Sequence, residues 1–327
     1  MKQKVAIAMG GYSSEYEISI KSGNFIFQEL DREKFEVYKA FIMKDHWYVE
    51  GEDGREYPLN KADFSVTMNG DKLNFDCVFN MIHGTPGENG PLQGYFEILG
   101  IPQTASDFYP SALSFDKHDC ISVLRNHGIR TAENYFIQKG DAIDEDKIIE
   151  KVGLPCFVKA NSSGSSFGIS KVKQQSDLAA AIEHSFKEGN DIIIESFLDG
   201  VEVDVGVIQY NNTIIALPVT EIVTENEFFD YGAKYLGQSE EITPARISNE
   251  QTAEVQEMSK KIFKLLRLKG FARAEFILHQ GKPHFIEINT VPGMSPASVV
   301  PQQIRAADIS FEDFFSDLIY TAIAENA

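Results

Sequence analysis

A chain of 327 residues is long enough for two or three domains of about 100 to 200 residues each, and too long to depend on disulfide staples. Hydrophobic residues at 43% and charged ones at 24% are ordinary for a globular protein, which excludes wholesale disorder and a coiled coil. With 49 acids against 30 bases the net charge is −19, so the surface repels phosphate backbones and anionic lipid, and nucleic acid is not an expected partner.

Residues 4–9 form a short apolar run ending in Gly10-Gly11, and Ile18, Phe25, Ile26 and Leu30 recur at helical spacing, which predicts strand, glycine loop, helix. The loop Gly10-Gly-Tyr-Ser-Ser-Glu15 ends where helix N–H dipoles favour an anion, and Glu15 reads most simply as a cap. A GxGxxG fingerprint is absent, so a nicotinamide site is not supported. Residues 35–42 and 76–82 are further strands, and a helix after Pro91 separates the latter from a strand-like run at 101–104. Residues 1–107 thus read as an open α/β domain with mostly parallel strands. His83 opens a glycine-rich loop at a strand's carboxyl end, where such sheets bind ligands; it is a site residue or a buried histidine satisfied by backbone.

A helix near 116–127 opens the remainder, residues 108–327, which changes character from Cys156. Strand-like runs at 156–160, 169–173, 191–197, 202–210 and 213–221 come in quick succession, as expected of an α+β portion with antiparallel sheets. Lys159 ends the first run and precedes a Ser/Gly loop to Gly168, supplying a point charge and backbone N–H groups of the kind phosphate needs, or else an ordinary turn. Residues 222–247 show no clear element, and such a gap is usually a functional lid or disordered. Within it, Phe228-Phe-Asp-Tyr-Gly-Ala-Lys-Tyr235 could close over phosphate with Lys234 as the charge, or pack on its own aromatics.

The strongest constellation spans residues 271–289, two strands with Gln280-Gly281-Lys282 at the turn. Paired residues share a constant sum, so Glu275 faces Glu287 and Arg273 faces Asn289, all on one side, while Ala274, Phe276, Leu278, Ile286 and Ile288 form the core side. Opposed carboxylates repel unless a cation neutralises them, and two acids with an amide oxygen make a hard site suited to Mg²⁺. The plainer alternative is a solvated face with Arg273 paired to one acid. Phe311, Phe314, Phe315, Leu318 and Ala322 mark a last helix with a packing stripe. No run approaches the roughly 18 apolar residues of a spanning helix, and the start lacks a signal peptide's apolar stretch, so a cytoplasmic protein without membrane partners is expected. Cys77, Cys120 and Cys156, widely spaced, suit buried reduced thiols.

Taken in order, Gly10–Glu15, His83-Gly-Thr-Pro-Gly-Glu-Asn-Gly90, Asp116-Lys117, Gly164-Ser-Ser-Phe-Gly168, Ala233-Lys-Tyr235, Glu287-Ile-Asn289 and Pro292-Gly-Met294 resemble the D-alanine–D-alanine ligases of the ATP-grasp superfamily. Each motif is weak alone, and their joint order is specific. The resemblance implies an ATP-grasp portion over 108–327, with a central ATP-binding part at about 115–197 and a C-terminal part at about 198–327 that bears the lid. It implies ATP and two Mg²⁺ ions, with Mn²⁺ possible, D-alanine as substrate, and a homodimer. By position, Lys117 and Lys159 would contact ATP phosphates, Glu195 and the Leu198 backbone the adenine, Glu202 the ribose, and Lys234 the terminal phosphate. Glu275, Glu287 and Asn289 would hold the metals. Glu15 would bind the first ammonium, linked through Ser165 and Tyr235 to the lid; Arg273 and the Gly293 N–H would face the oxyanion; Ser298 and the Val299 N–H would hold the second carboxylate; and His83 would join the substrate site.

Four residues depart from the family pattern: Glu275 and Asn89 each stand for aspartate, Ala160 for proline and Gly232 for glutamate. None removes a phosphate, metal or oxyanion group, so activity is expected to survive. The rivals are a depsipeptide ligase joining D-alanine to D-lactate, against which Tyr235 argues, and a non-catalytic ATP-binding module, which has no use for Arg273.

Overall fold

The structure is a computed structural model that describes residues 2–162, 168–224 and 239–326. Ser165, Lys234 and Tyr235 lie outside the described residues. β1 (Gln3–Gly11) is buried throughout from Val5 onward, as befits a strand with neighbours on both edges and cover on both faces. α1 (Tyr16–Glu29) follows its glycine loop, and β2 (Phe35–Met43) then pairs parallel with β1. β3 (Trp47–Glu50), β4 (Glu56–Asn60), β5 (Ser65–Met68) and β6 (Asp71–Leu73) continue from β2 as an antiparallel meander. β7 (Cys77–Asn80) returns to the far edge of β1, giving the order β6-β5-β4-β3-β2-β1-β7.

Only the two pairings of β1 are parallel, so the expectation of mostly parallel strands is corrected. The reason is local: antiparallel neighbours need only short turns, and Asn69-Gly70, both at positive φ (54° and 96°), make one between β5 and β6. The run at 101–104 is likewise no strand, and only Gln103 bridges to Val78. Pro102 lacks an N–H for a ladder.

α2 (Pro91–Leu99), α3 (Phe108–Phe115) and α4 (Lys117–Asn126) lead to a second sheet. It contains β8 (Asn134–Gln138), then, beyond α5 (Glu145–Val152), β9 (Cys156–Ala160) and β10 (Ser170–Val172), and, beyond α6 (Leu178–Ser185), β11 (Asp191–Ser196). The order β10-β9-β11-β8 is antiparallel throughout, and Ile137, Val158, Ile192 and Ile194 bury one face against Ile148 and Ile182 of the two helices.

A third antiparallel sheet follows: β12 (Gly200–Tyr210), β13 (Thr213–Ala216), β14 (Thr220–Thr224), β15 (Ser239–Ile242) and, after α7 (Asn249–Leu265), β16 (Phe271–His279) and β17 (Lys282–Asn289). The single strand expected over 213–221 is two, broken at Leu217-Pro218. α8 (Val299–Ala306) and α9 (Phe311–Glu325) close the fold. α9 drives Phe314, Phe315 and Leu318 into a core shared by Met9 and Phe79 of the first sheet and Phe271 of the third, so its stripe packs as expected. Cys77, Cys120 and Cys156 are buried free thiols. No helix among the described residues is long and apolar enough to cross a membrane.

Where β12 passes from β14 to β13 as its neighbour, a side chain from α8 fills the gap in the ladder. Gln303 accepts from the Gly206 N–H at 2.8 Å and donates to the Asp204 carbonyl and the Thr220 hydroxyl, both at 2.9 Å. A Cβ on Gly206 would sit 2.7 Å from the Gln303 oxygen, so any larger residue would push that amide out of its place. Replacing Gln303 with Leu strands these buried groups and is expected to lower the unfolding free energy by about 2 kcal/mol or more, read by urea denaturation; unchanged stability would show that water replaces the amide.

Candidate functional site

The β16–β17 hairpin has the predicted register where it counts: Glu275 opposes Glu287 and Arg273 opposes Asn289. Beyond a bulge at Glu275/Phe276 the register slips by one, and the turn tightens to Gln280-Gly281, at φ 51° and 75°. The slip puts Phe285 into the core and leaves Ile286 half-buried, a correction to the expected core side. On the other edge of β16, β12 sets Asp204 opposite Glu275. Three acids, Asp204, Glu275 and Glu287, therefore form a row across three neighbouring strands.

Such a row persists only if cations answer it. The Arg273 Nη2 donates to Glu275, and its Nε stands 3.1 Å from an Asp204 oxygen. The Asn289 amide also donates to Glu275, at 2.8 Å, and the Lys117 ammonium lies 3.3 Å from Glu287. From the facing sheet comes Lys159, buried on β9 and ion-paired with Glu195 on β11. Burial works against the Lys159 charge, but Glu195, Glu287 and Glu275 outweigh it and its pKa is raised. Both candidate phosphate lysines are thus paired with carboxylates.

Lys117 owes its place to the start of α4. Asp116 caps that helix by accepting from the Asp119 N–H at 2.9 Å, and also accepts from Asn161 at 2.7 Å. Asn161 in turn accepts from the His118 N–H at 2.8 Å, which welds the helix to the end of β9. Leu198, buried, lies in the short connection from β11 to β12, and Glu202 sits half-buried on β12 opposite Ile277. Glu195, Leu198 and Glu202 therefore line one passage of chain between the second and third sheets.

Glu15 stands at the N-cap position of α1 yet makes no capping hydrogen bond, so the capping reading fails. Instead it lines a cavity of about 560 Å³ with Ser13, Gly84, Thr85, Asn89 and Asp116. Next to it, His83 is buried, with Nδ1 2.6 Å from the Val291 carbonyl and Nε2 3.2 Å from the Ser22 hydroxyl. Ser22 accepts from the Met294 N–H at 3.0 Å, so its own proton goes to Nε2 and the His83 Nδ1–H goes to the carbonyl. Burial keeps this imidazole neutral by lowering its pKa. Glu88 accepts from the Gly84 and Val291 N–H groups at 2.9 and 3.4 Å. Together these clasp the 291–294 loop to the first sheet, beside Ser298, whose hydroxyl a Cβ on Gly293 would approach to 3.0 Å. Ser298 and Val299 begin α8.

Sequence reasoning missed Asp204, Glu88, Ser22 and Asn161. Asp204 alternates with Glu202 in a run already read as a strand, and that signal becomes informative only with the β12–β16 register.

Models of the D-ala D-ala ligase N-terminus and C-terminus match residues 4–106 and 123–320. The chain is 56% identical to the D-alanine–D-alanine ligase of Christiangramia forsetii over 99% of both chains, and 55% identical to that of Flavobacterium johnsoniae over 98% of this chain and 100% of the relative. Among solved structures, the VanG D-Ala:D-Ser ligase from Enterococcus faecalis superposes with a TM-score of 0.86 at 29% identity, covering 98% of this chain and 100% of that one. The D-alanine–D-alanine ligase from Bacillus anthracis complexed with ATP gives 0.80 at 27% identity, covering 99% and 98%.

Glu88 gives this site a pH signature. Burial, then the charge of Glu15, pushes its carboxyl up from 4.5 to about 7. The folded chain then binds this proton more tightly than the unfolded chain, so stability falls as pH rises from 4.5 to about 7. Glu88→Gln is expected to remove that slope when unfolding free energies are compared at about pH 5 and about pH 8; parallel behaviour of the two proteins would contradict it.

Proposed function

The chain belongs to the D-alanine–D-alanine ligase family, and from that premise we propose that it joins two D-alanine molecules at the expense of ATP, through an acyl phosphate. The observation that carries this reading is the face holding Arg273, Glu275, Glu287 and Asn289 with Lys117 and Lys159 turned toward it. Phosphoryl transfer asks mainly for positioning and for cations around the phosphate oxygens, and this face supplies both.

The donor set fits Mg²⁺, because two opposed carboxylates and an amide oxygen are hard ligands, and their present partners are side chains that an ion can displace. Glu275, Glu287 and Asn289 would hold two ions, which when bound supply neutralising charge to the phosphates. Lys117 and Lys159 leave Glu287 and Glu195 for the phosphates, with Lys234 joining from the lid. Glu195 and the Leu198 backbone face the adenine and Glu202 the ribose. Glu15 takes the ammonium of the first D-alanine, tied by Ser165 and Tyr235 to the lid, which keeps water from the acyl phosphate. The second amine attacks, and Arg273 with the Gly293 N–H receives the oxyanion. The N-terminus of α8, through Ser298 and the Val299 N–H, holds the second carboxylate, while His83 orders the substrate loop. On this reading the boundary between the two portions falls after residue 107 and the enzyme works in the cytosol.

A homodimer completes the proposal. Ile98, 87% exposed, lies beside exposed Phe108 and Tyr109, where the Phe108 N–H donates to Glu97 at 2.7 Å. Exposed large apolar side chains on neighbouring helices favour a self-complementary interface. Ile98→Glu is expected to convert the dimer to a monomer by light scattering, and an unchanged mass would place the interface elsewhere.

The decisive experiment incubates the protein with ATP, Mg²⁺ and a panel of D-amino and D-hydroxy acids and identifies products by mass. D-Alanyl-D-alanine with stoichiometric ADP is expected. Lys159→Ala and Glu287→Gln should each slow ADP release roughly 100-fold or more, and wild-type turnover in either would remove its residue from the phosphate or metal site.

A further inference from the structure

Asp204 has no solvent exposure, and none of the roles above uses it. It lies on β12 directly opposite Glu275, itself only 4% exposed. Two carboxylates so placed in a dry interior repel, and Arg273 stands between them with its Nε 3.1 Å from Asp204 and its Nη2 donating to Glu275. The guanidinium thus spans two acids with two different nitrogens, Nη2 hydrogen-bonded to Glu275 and Nε ion-paired with Asp204, a fork that a lysine cannot form.

The two acids differ in their obligations. Glu275 is also an expected metal ligand, and an oxygen turned to a divalent ion is a poorer acceptor for Arg273. Asp204, behind the guanidinium and shut off from solvent, has no such competing demand in the proposed mechanism. We propose that Asp204 is a positioning residue that keeps the Arg273 guanidinium aimed at the reacting carboxyl while metal occupies Glu275. This rests on the oxyanion role proposed above for Arg273. Fixing Nε at one end sets the plane of the fork, and the plane decides where the other nitrogens point.

Asp204→Asn keeps the shape and removes the charge. It is expected to lower kcat for ADP release roughly 10- to 100-fold, the scale of an ångström-sized misplacement, with KM for ATP within about twofold of wild type. In an Arg273→Ala background the same change should add almost nothing, because its effect passes through that arginine. A wild-type kcat in folded Asp204→Asn, or an equal loss in both backgrounds, overturns the proposal and leaves the role of Arg273 standing. A wild-type kcat in Arg273→Ala alone removes the underlying reading instead. Asp204→Thr, β-branched and suited to a strand, serves the same cycle if the asparagine variant does not fold.

Discussion

Asp204, Glu275 and Glu287 stand on adjacent strands of one sheet, facing the same way, the first two shut off from solvent and the third half-buried. Their mutual repulsion would splay the sheet or protonate one of them if nothing positive were near. The chain answers with Arg273 inside the row and Lys117 at its open end. The two answers differ in kind. Arg273 comes from within the row's own sheet and meets two of its acids, whereas Lys117 reaches Glu287 from another element, α4. On the proposed function, the Lys117 end is where nucleotide phosphate and a divalent ion would be taken up and released.

The second constraint is the attachment of the 291–294 loop. Its backbone is held by His83 and Glu88 from a loop of the first sheet and by Ser22 from α1, although the loop itself follows the last strand of the third sheet. Gly293, the proposed oxyanion donor, is therefore held by the N-terminal portion, and the proposed metal ligands by the third sheet. Glycine at 293 is the sterically economical choice, since the Ser298 hydroxyl would lie within 3.0 Å of any Cβ there.

The hairpin was legible because period-two alternation and a turn rich in glycine suffice to pair Glu275 with Glu287. Its far half was not, because a bulge leaves no mark in the pattern: Phe285 and Ile286 are equally apolar, and only the three-dimensional register decides which one is buried. The long-range order of the motifs identified the family, and through it the lysines. The meander from β3 to β6 escaped because its strands are short and its alternation is diluted by polar residues, and the first sheet was read as more parallel than it is. Asp204 could not be found from the sequence at all. Its meaning depends on a partner on β16, far along the chain, and strand pairing at that distance is not written in local composition.

The packing of α9 has a bearing on how the protein is made. Phe314, Phe315 and Leu318 belong to the same core as Met9 and Phe79, so a sheet translated early is finished by a helix translated much later. During synthesis the emerging N-terminal strands carry an apolar surface whose natural cover has yet to leave the ribosome. The nascent chain must stay soluble by other means until α9 has been made, long after the first strands have emerged.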